Sequence, residues 1–407
     1  MSKKVPLILT LILTLAAILI TFQVTYISLN NKYKDKLNEV IISRNLYNKL
    51  AELDAYYKNS YIGELDEKKI SDSVMKGYVA GTGDKYGAYL TSEQYTEYMS
   101  DMDGSGVGIG VMVTYDIDKG ALEVLTVMPD SPALEAGIMS GDMITAVNGV
   151  DVYDSGYYDA VNSVKGEAGT DVELKIFRAA ENKYEEMDLT VTRANVTYLS
   201  VLYHMYEDGI TGIVKILGFD LNTPVQFYNA VDTLLSQGAS RFVFDVRDNS
   251  GGELNSIVSI LDYLLPAGPV IRIIDKEGNE EVKTSTDEKS LDMPMMALVN
   301  SRTASAAELF ASALQDYKKA RLVGTVTYGK GVMQAVVPLA DNSALIISYR
   351  MYAPPFSDNY NGIGVIPDIQ IELSEAAAEQ NIYKMEDAED NQLMAAIELL
   401  NNTEGNQ

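Results

Sequence analysis

The 407-residue chain contains no cysteine, no tryptophan and a single histidine. Without cysteine it can form no disulfide, no thiolate zinc or iron–sulfur site and no cysteine nucleophile. One histidine excludes His-rich metal centres and leaves at most one residue for a His-dependent triad. Any catalysis must therefore use hydroxyl groups, carboxylates, Lys, Arg and main-chain amides.

Basic residues are also scarce. The chain has 32 Lys and Arg against 58 Asp and Glu, which gives a formal net charge of −26 at pH 7. Nucleic-acid phosphates attract basic surfaces, so we expect no nucleic-acid partner. Apolar residues make up 47% of the chain and tyrosines number 27, which is typical of a folded protein and not of a disordered one. The length predicts about two or three domains.

The N-terminus has the pattern of a membrane signal. Lys3 and Lys4 precede an uncharged run over residues 5–27. This run is long enough to cross a hydrocarbon core and longer than the apolar part of a typical signal peptide. We predict a signal anchor over residues 1–30, with the remainder of the chain outside the cytoplasm at the cell membrane. A cleaved signal peptide, followed by secretion, is the alternative.

Helical patterns flank the middle of the chain. An N-terminal helical region is predicted over residues 31–103, where Ile70, Val74 and Tyr78 form an i, i+4 row. An acidic tail over residues 374–407 is predicted to be solvated and to contain one helix, capped by Asp390. A stalk or a homodimer contact and ordinary packing are both compatible with these helical segments.

Residues 104–195 have a different pattern, which predicts short strands separated by glycine-containing turns. The order of these strands and turns resembles a PDZ domain of the kind found in exported bacterial proteases. The resemblance implies that one glycine-rich loop and the strand after it bind the C-terminus of a peptide. Small residues let main-chain amides converge on a carboxylate, and an exposed strand edge can pair with the peptide. The loop residues are Gly106, Val107, Gly108, Ile109 and Gly110.

Residues 196–373 alternate strand and helix patterns, which predicts an α/β domain. Strands are predicted over residues 212–216, 241–246 and 294–300, and an amphipathic helix over residues 224–237. The predicted fold class is therefore a multi-domain α/β protein. It combines a PDZ domain and an α/β core with helical segments at both ends and an N-terminal anchor.

Two predicted strand ends carry polar and small residues, at 244–252 and 299–308. Ser305 lies in the second, where a strand meets a helix, and could present its hydroxyl beside the unpaired amides of the helix N-terminus. Those amides and the amides of the first glycine turn could stabilise an oxyanion. An ordinary helix cap is the alternative, because serine is a preferred capping residue.

A third segment, residues 324–334, contains Lys330 between two glycines. It fits all but the last position of a P-loop, where Gly331 replaces the Ser or Thr that binds magnesium, and a strand pattern follows it. We therefore reject a nucleotide site. Lys330 could instead be a general base if burial lowers its pKa, with Gln334 orienting the amine. A surface lysine in a glycine turn is the alternative. The apolar neighbours expected to bury Lys330 are Val326, Tyr328, Val332 and Met333.

The three segments, in this order after a PDZ-like region, resemble the C-terminal processing peptidases, a serine protease family with a Ser–Lys dyad. Further matching motifs lie at 84–90, 352–355 and 364–368, whereas Ser250 and Lys85 replace two usual prolines. The resemblance implies protein or peptide substrates, recognised through their C-termini, a PDZ domain that regulates access, and no metal, ATP or other cofactor. It assigns Ser305 as nucleophile, Lys330 as base and Gln334 as its positioning residue, with an oxyanion hole formed by Ala306 and either Gly251 or Gly252.

The one histidine, His204, has no serine motif or metal-ligand spacing around it, so a surface or structural role is the better interpretation. A catalytically silent scaffold that uses only its PDZ domain is the rival hypothesis for the whole chain. Loss of Ser305, Lys330 or Gln334 would have indicated such a scaffold, and all three are present.

Overall fold

The computed structural model describes residues 21, 23, 44–180, 183–286 and 290–404. The predicted anchor over residues 1–30 lies outside these residues, apart from positions 21 and 23. Within the described ranges, no helix combines the length and apolar character needed to span a bilayer. The chain divides into two compact units, residues 1–75 and 76–407.

The first unit is helical in its described part. Helix α1 covers residues 44–60, and helix α2 (Glu67–Gly81) begins in this unit. Lys58 pairs with both Asp54 and Glu67, which links the two helices. The helical periodicity predicted for this part of the chain is therefore present.

The second unit begins with the last turns of α2, which a short strand, β1 (Ala88–Leu90), and helix α3 (Ser92–Asp103) follow. A capping box between Thr91 and Gln94 starts α3, and Gly104 ends it in the left-handed conformation. The sequence pattern predicted no strand in residues 31–103, so β1 is an addition to that prediction. Three residues are too few to show a strand period, and β1 forms because it pairs with a strand far along the chain.

The region predicted to be PDZ-like contains an antiparallel sheet against which two helices pack. Strands β3, β4, β5, β7 and β8 are neighbours in that order, β6 pairs with β5, and β2 pairs with β9. Helices α4 and α5 cover an apolar core that includes Ile109, Ile144 and Ile176. The elements are β2 (Ser105–Gly108), β3 (Val111–Asp116), β4 (Ala121–Val127), α4 (Pro132–Glu135), β5 (Met143–Val147), β6 (Val150–Asp151), α5 (Val152–Val164), β7 (Asp171–Ala180), β8 (Lys183–Thr192) and β9 (Ala194–Thr197).

A six-stranded sheet organises the following region, in the order β10, β11, β12, β15, β16, β19. The pair β10 and β11 is antiparallel, and every later pair is parallel. Strand β12 is buried along its whole length, as a central parallel strand should be. The strands are β10 (Val201–Met205), β11 (Thr211–Ile216), β12 (Arg241–Asp245), β15 (Met295–Val299), β16 (Ala320–Gly324) and β19 (Ile369–Gln370).

Helices cover both faces of this sheet. Helices α6 (Thr223–Ser236), α7 (Leu254–Leu264) and α8 (Ala306–Asp316) pack on one face around Phe227, Phe244 and Phe310. Helix α10 (Asn391–Glu404) packs on the other face. The short helix α9 (Glu375–Ala378) precedes it.

A second, antiparallel sheet lies in the same unit. Its order is β1, β18, β13, β14, with β17 also paired to β18. The strands are β13 (Gly268–Ile274), β14 (Glu280–Ser285), β17 (Val332–Pro338) and β18 (Ala344–Ala353). Strand β17 follows the segment that contains Lys330, so this sheet holds the lysine loop in place.

The acidic tail is not simply solvated, which corrects that expectation. Leu393, Ile397 and Leu400 are buried against the sheet. Asp390 does cap α10, because it accepts hydrogen bonds from the amides of Gln392 and Leu393. The apolar side of this helix is therefore already covered within the chain.

Candidate active site

The loops that follow β12, β15 and β16 meet at one edge of the parallel sheet. Because the carboxyl ends of parallel strands share an edge, residues far apart in sequence come together there. These loops form a cavity of about 410 Å³, which α3 and the end of β18 help to line. All six residues predicted for the catalytic group and the oxyanion hole line it: Ser305, Lys330, Gln334, Ala306, Gly251 and Gly252.

Ser305 occupies the N-cap position of α8 with φ 56° and ψ −118°. A positive φ is uncommon for a residue with a side chain and costs about 1–3 kcal/mol, so its surroundings must enforce it. Its hydroxyl lies 2.8 Å from that of Tyr352. The amide of Glu308 donates to the main-chain oxygen of Ser305. The strained turn therefore directs the hydroxyl into the cavity.

Glu308 fixes this turn, and sequence reasoning missed it. Its fully buried side chain accepts hydrogen bonds from the amide of Ser305 at 2.8 Å, the amide of Gly329 at 2.7 Å and the amide of Lys330 at 2.8 Å. It also accepts one from the hydroxyl of Thr327 at 2.5 Å. One carboxylate thus ties the serine turn to the lysine loop. The available signal was an acidic residue in the first turn of α8, followed by the mainly apolar residues 309–314.

Lys330 lies in a partly desolvated position. Burial lowers the pKa of Lys330 below its usual value, although the negative charges of Glu308 and Asp84 oppose this shift. Its Nζ donates to Oε1 of Gln334 at 2.6 Å and lies 5.2 Å from the ring centre of Tyr86. The burial favours the neutral amine that a general base requires, whereas the carbonyl oxygen and the aromatic ring favour the protonated form.

Of the apolar neighbours predicted for Lys330, Val332 and Met333 line the same cavity as the lysine. Tyr86, from the loop before β1, is a further neighbour that the sequence did not indicate. Its carbonyl accepts a hydrogen bond from Nε2 of Gln334 at 2.5 Å, which turns Oε1 of the same amide toward the lysine.

The two glycines after β12 have different hydrogen bonds. The amide of Gly251 donates to Oδ1 of Asn249 at 2.8 Å. The amide of Gly252 has no acceptor among the described residues, and neither has that of Ala306 at the start of α8. A Cβ on Gly251 would come within 2.8 Å of the Ala306 nitrogen, so only glycine allows this close approach. Two unpaired amides therefore lie in the lining of the cavity.

The predicted peptide-binding loop lines a separate cavity of about 100 Å³. Val107, Gly108, Ile109 and Gly110 contribute to its wall, while Gly106 does not. The opposite wall comes from the end of α5 and is mainly apolar. This cavity has the position and the character that a peptide side chain would require beside a strand edge.

His204 lies on the surface, as predicted. Its Nε2 is 2.8 Å from a carboxylate oxygen of Asp387, and the side chain is about half exposed. It does not line the cavity that contains Ser305. The histidine therefore takes no part in that site.

Comparison with known proteins agrees with the architecture. Residues 210–371 match the model of peptidase family S41, and residues 123–178 match a PDZ domain model. A CtpA-like serine protease of Staphylococcus aureus (strain COL) is 32% identical over 88% of this chain and 71% of its own length. The chain belongs to peptidase family S41.

This S41 peptidase is thus a serine-type hydrolase with a PDZ domain, and the predicted resemblance to C-terminal processing peptidases is confirmed. A carboxy-terminal-processing protease of Bartonella bacilliformis is 28% identical over 81% of this chain and 76% of its own. The crystal structure of an S41 protease from Bacteroides fragilis NCTC 9343 covers 84% of this chain and 93% of its own with a TM-score of 0.57. At 17% identity, that likeness concerns the fold alone.

Proposed function

We propose that this S41 peptidase is an endopeptidase that forms an acyl-enzyme at Ser305, with Lys330 as its general base. Neutral Lys330 takes the proton of Ser305 Oγ, and the oxygen attacks the scissile carbonyl carbon. The protonated lysine then gives this proton to the leaving amine, and water hydrolyses the acyl-enzyme. The observation that carries the proposal is the desolvated Lys330 amine in the same cavity as the strained Ser305 turn.

The amides of Gly252 and Ala306 are the proposed oxyanion hole. Gly251 is the weaker choice, because Asn249 already accepts its amide proton. Preorganised donors of this kind stabilise an oxyanion strongly. Gln334 is the proposed positioning residue for Lys330, since its orientation is set by Tyr86.

The test is cleavage of a protein substrate such as casein by the full chain and two variants. Ser305→Ala and Lys330→Ala should each lower the cleavage rate by about 10⁴-fold or more, since members of a catalytic group act as a unit. Binding of a fluorescent peptide with a free apolar C-terminus should be unchanged. Cleavage by either variant at a rate near that of the wild type would contradict the dyad.

A catalytically silent PDZ scaffold is the alternative function. One observation favours it, namely that the hydroxyl of Ser305 is hydrogen-bonded to Tyr352, and the described residues show no hydrogen bond between it and the amine of Lys330. Incubation with a fluorophosphonate separates the two functions, because only an activated serine forms the phosphonyl ester. An unlabelled Ser305 together with uncut casein would support the scaffold.

We infer that the PDZ domain recognises the C-termini of substrates and regulates access to Ser305. The apolar cavity beside Ile109 and Gly110 supports this role. Amidation of the C-terminus of the tested peptide should abolish its binding, because the carboxamide replaces the carboxylate that the loop would bind.

We also propose that residues 1–30 anchor the protein in the cell membrane with its catalytic domain outside the cytoplasm. The uncharged run over residues 5–27 supports this location. The full chain should remain in the membrane pellet after alkaline extraction, and a chain that starts at residue 31 should not. A soluble product with a lower mass than the full chain would instead indicate signal cleavage and secretion.

Helix α1 is the proposed contact of a homodimer. Leu46, Leu50, Leu53 and Tyr57 follow one another at spacings of four, three and four residues, as in a coiled coil. Leu46, Leu53 and Tyr57 are exposed. The chain from residue 31 should have the mass of a dimer in light scattering, and Leu53→Glu should convert it to a monomer.

A further inference from the structure

The hydroxyl of Ser305 is held by a tyrosine. Its Oγ lies 2.8 Å from the hydroxyl oxygen of Tyr352, and that hydroxyl donates to the main-chain oxygen of Lys330 at 2.9 Å. A carbonyl oxygen can only accept, so the single phenol proton belongs to the bond with Lys330. The proton between the two hydroxyls must then come from Ser305. The serine proton therefore points toward Tyr352.

Tyr352 is firmly placed at the end of β18 and is 4% exposed. Burial raises the pKa of its phenol above the usual value, so the hydroxyl keeps its proton. The amide of Tyr352 donates to the oxygen of Gly331 at 3.3 Å, and the side chain of Asn359 donates to the main-chain oxygens of both residues. The tyrosine is thus tied to the loop that carries the base.

The amine of Lys330 has a different partner. It donates to Gln334, and the described residues show no hydrogen bond between it and Ser305. Acylation needs the Ser305 proton to pass to that amine. The hydroxyl must therefore leave Tyr352 before the proton can be transferred.

We propose that Tyr352 is a positioning residue that holds Ser305 in a resting orientation, and that Ser305 exchanges its hydrogen bond to Tyr352 for one to Lys330 before each acylation. The inference rests on the proposed role of Ser305 as nucleophile. In the step that follows the exchange, Oγ bonds to the acyl carbon and its proton moves to Nζ of Lys330. The phenol keeps its own proton throughout and continues to donate it in a hydrogen bond to the main-chain oxygen of Lys330.

The test compares Tyr352→Phe with the wild type in the full chain. The variant lacks the oxygen that accepts the serine proton, so Ser305 should react faster. Loss of one hydrogen bond of ordinary strength corresponds to a rise of roughly two- to tenfold in the rate of fluorophosphonate labelling. The kcat for a peptide should rise with KM unchanged, and the pH midpoint of labelling should not move.

Tyr317→Phe is the matched control, because it removes another phenol that donates to a main-chain oxygen, that of Pro269, and it lies outside the cavity lining. Its labelling rate should equal that of the wild type. The proposal would be overturned, with Ser305 still the nucleophile, if Tyr352→Phe were labelled at the wild-type rate. A slower rate of labelling with a shifted pH midpoint would overturn it as well. Absence of label from Ser305 in both proteins would instead overturn the proposed function, and the role of Tyr352 with it.

Discussion

The protonation state of Lys330 governs the proposed chemistry at the scale of single residues. Burial lowers the pKa of this lysine below its usual 10.5, and the charges of Glu308 and Asp84 act in the opposite direction. Only the neutral amine can accept the serine proton, so kcat/KM should rise with pH through a midpoint below 10.5. A profile measured with a peptide substrate that rises only above this value would contradict the desolvated base.

Asp84→Asn tests the electrostatic part of this account. The substitution removes a negative charge that favours protonated Lys330, so the midpoint of the pH profile should move to lower pH. Asparagine keeps an oxygen that can accept the hydrogen bond now given by the amide of Ser348 at 2.8 Å. Asp118→Asn, in an exposed turn, is the control and should leave the midpoint unchanged. A midpoint that rises or stays in Asp84→Asn would be the contrary result.

Both carboxylate oxygens of Glu308 are needed to accept the hydrogen bonds from the serine turn and the lysine loop. Glu308→Gln replaces one carboxylate oxygen by a donor group, so amides now bound by that oxygen lose their acceptor. Each buried donor left unpaired costs about 1–3 kcal/mol. We expect a lower free energy of unfolding and, because the serine turn and lysine loop separate, a fall in kcat of roughly 100-fold.

Urea unfolding and peptide cleavage would measure the two effects of Glu308→Gln. The control is Glu398→Gln, which removes the same charge from an exposed position on α10. It should change neither quantity. A variant Glu308→Gln with the wild-type kcat would show that the shared carboxylate does not position the two loops.

At the scale of elements, the glycine turn after β12 is shaped by what packs against it. A Cβ on Gly252 would come within 1.9 Å of the main-chain oxygen of Phe219. Gly252→Ala should therefore displace its amide from the cavity. Loss of one oxyanion donor costs roughly 10²–10³-fold in kcat. Peptide cleavage and denaturant unfolding would record the change.

Gly278→Ala provides the comparison for that turn. Gly278 also has a positive φ, of 86°, but a Cβ there would meet nothing within 4 Å. Alanine should lower stability modestly because of the strained backbone and leave kcat intact. An equal loss of kcat in both variants would indicate a general effect of strain and not a displaced amide.

Local patterns predicted the central elements well and the contacts between them poorly. The helix expected over residues 224–237 is α6 (Thr223–Ser236), because a 3.6-residue period is a local property. Ser305, Lys330 and Gln334 were predicted to act together because they lie in recognisable segments, and the structure places them in the lining of one cavity. Tyr86, by contrast, contacts Gln334 across most of the chain, and no period reveals such a pairing. Tyr352 was noted within a motif, but its bond to Ser305 depends on how β18 packs.

At the scale of the whole molecule, the C-terminal helix α10 covers one face of the parallel sheet and pairs with a buried charge at its edge. Arg247, just after β12, is buried and donates to the carboxylates of Asp245 and Asp390. Burial alone would raise the pKa of Asp245, but Arg247 and Lys215 more than offset it and hold that pKa well below its usual range. The acidic tail thus supplies a charge that a buried arginine requires. Composition could not distinguish this carboxylate from its solvated neighbours.

The free energy of unfolding should therefore depend on Asp390 of the acidic tail and hardly on the nearby Asp387. Asp390→Ala removes a buried partner of Arg247 and the cap of α10, and should lower the free energy of unfolding by about 3 kcal/mol. Asp387→Ala removes only the exposed pair with His204, which is worth about 0–1 kcal/mol. Urea unfolding of both variants would measure this difference. Equal losses would show that the tail contributes through its net charge. The expected difference would show that the buried pair joins α10 to the edge of the sheet from which the loops with Ser305 and Lys330 emerge.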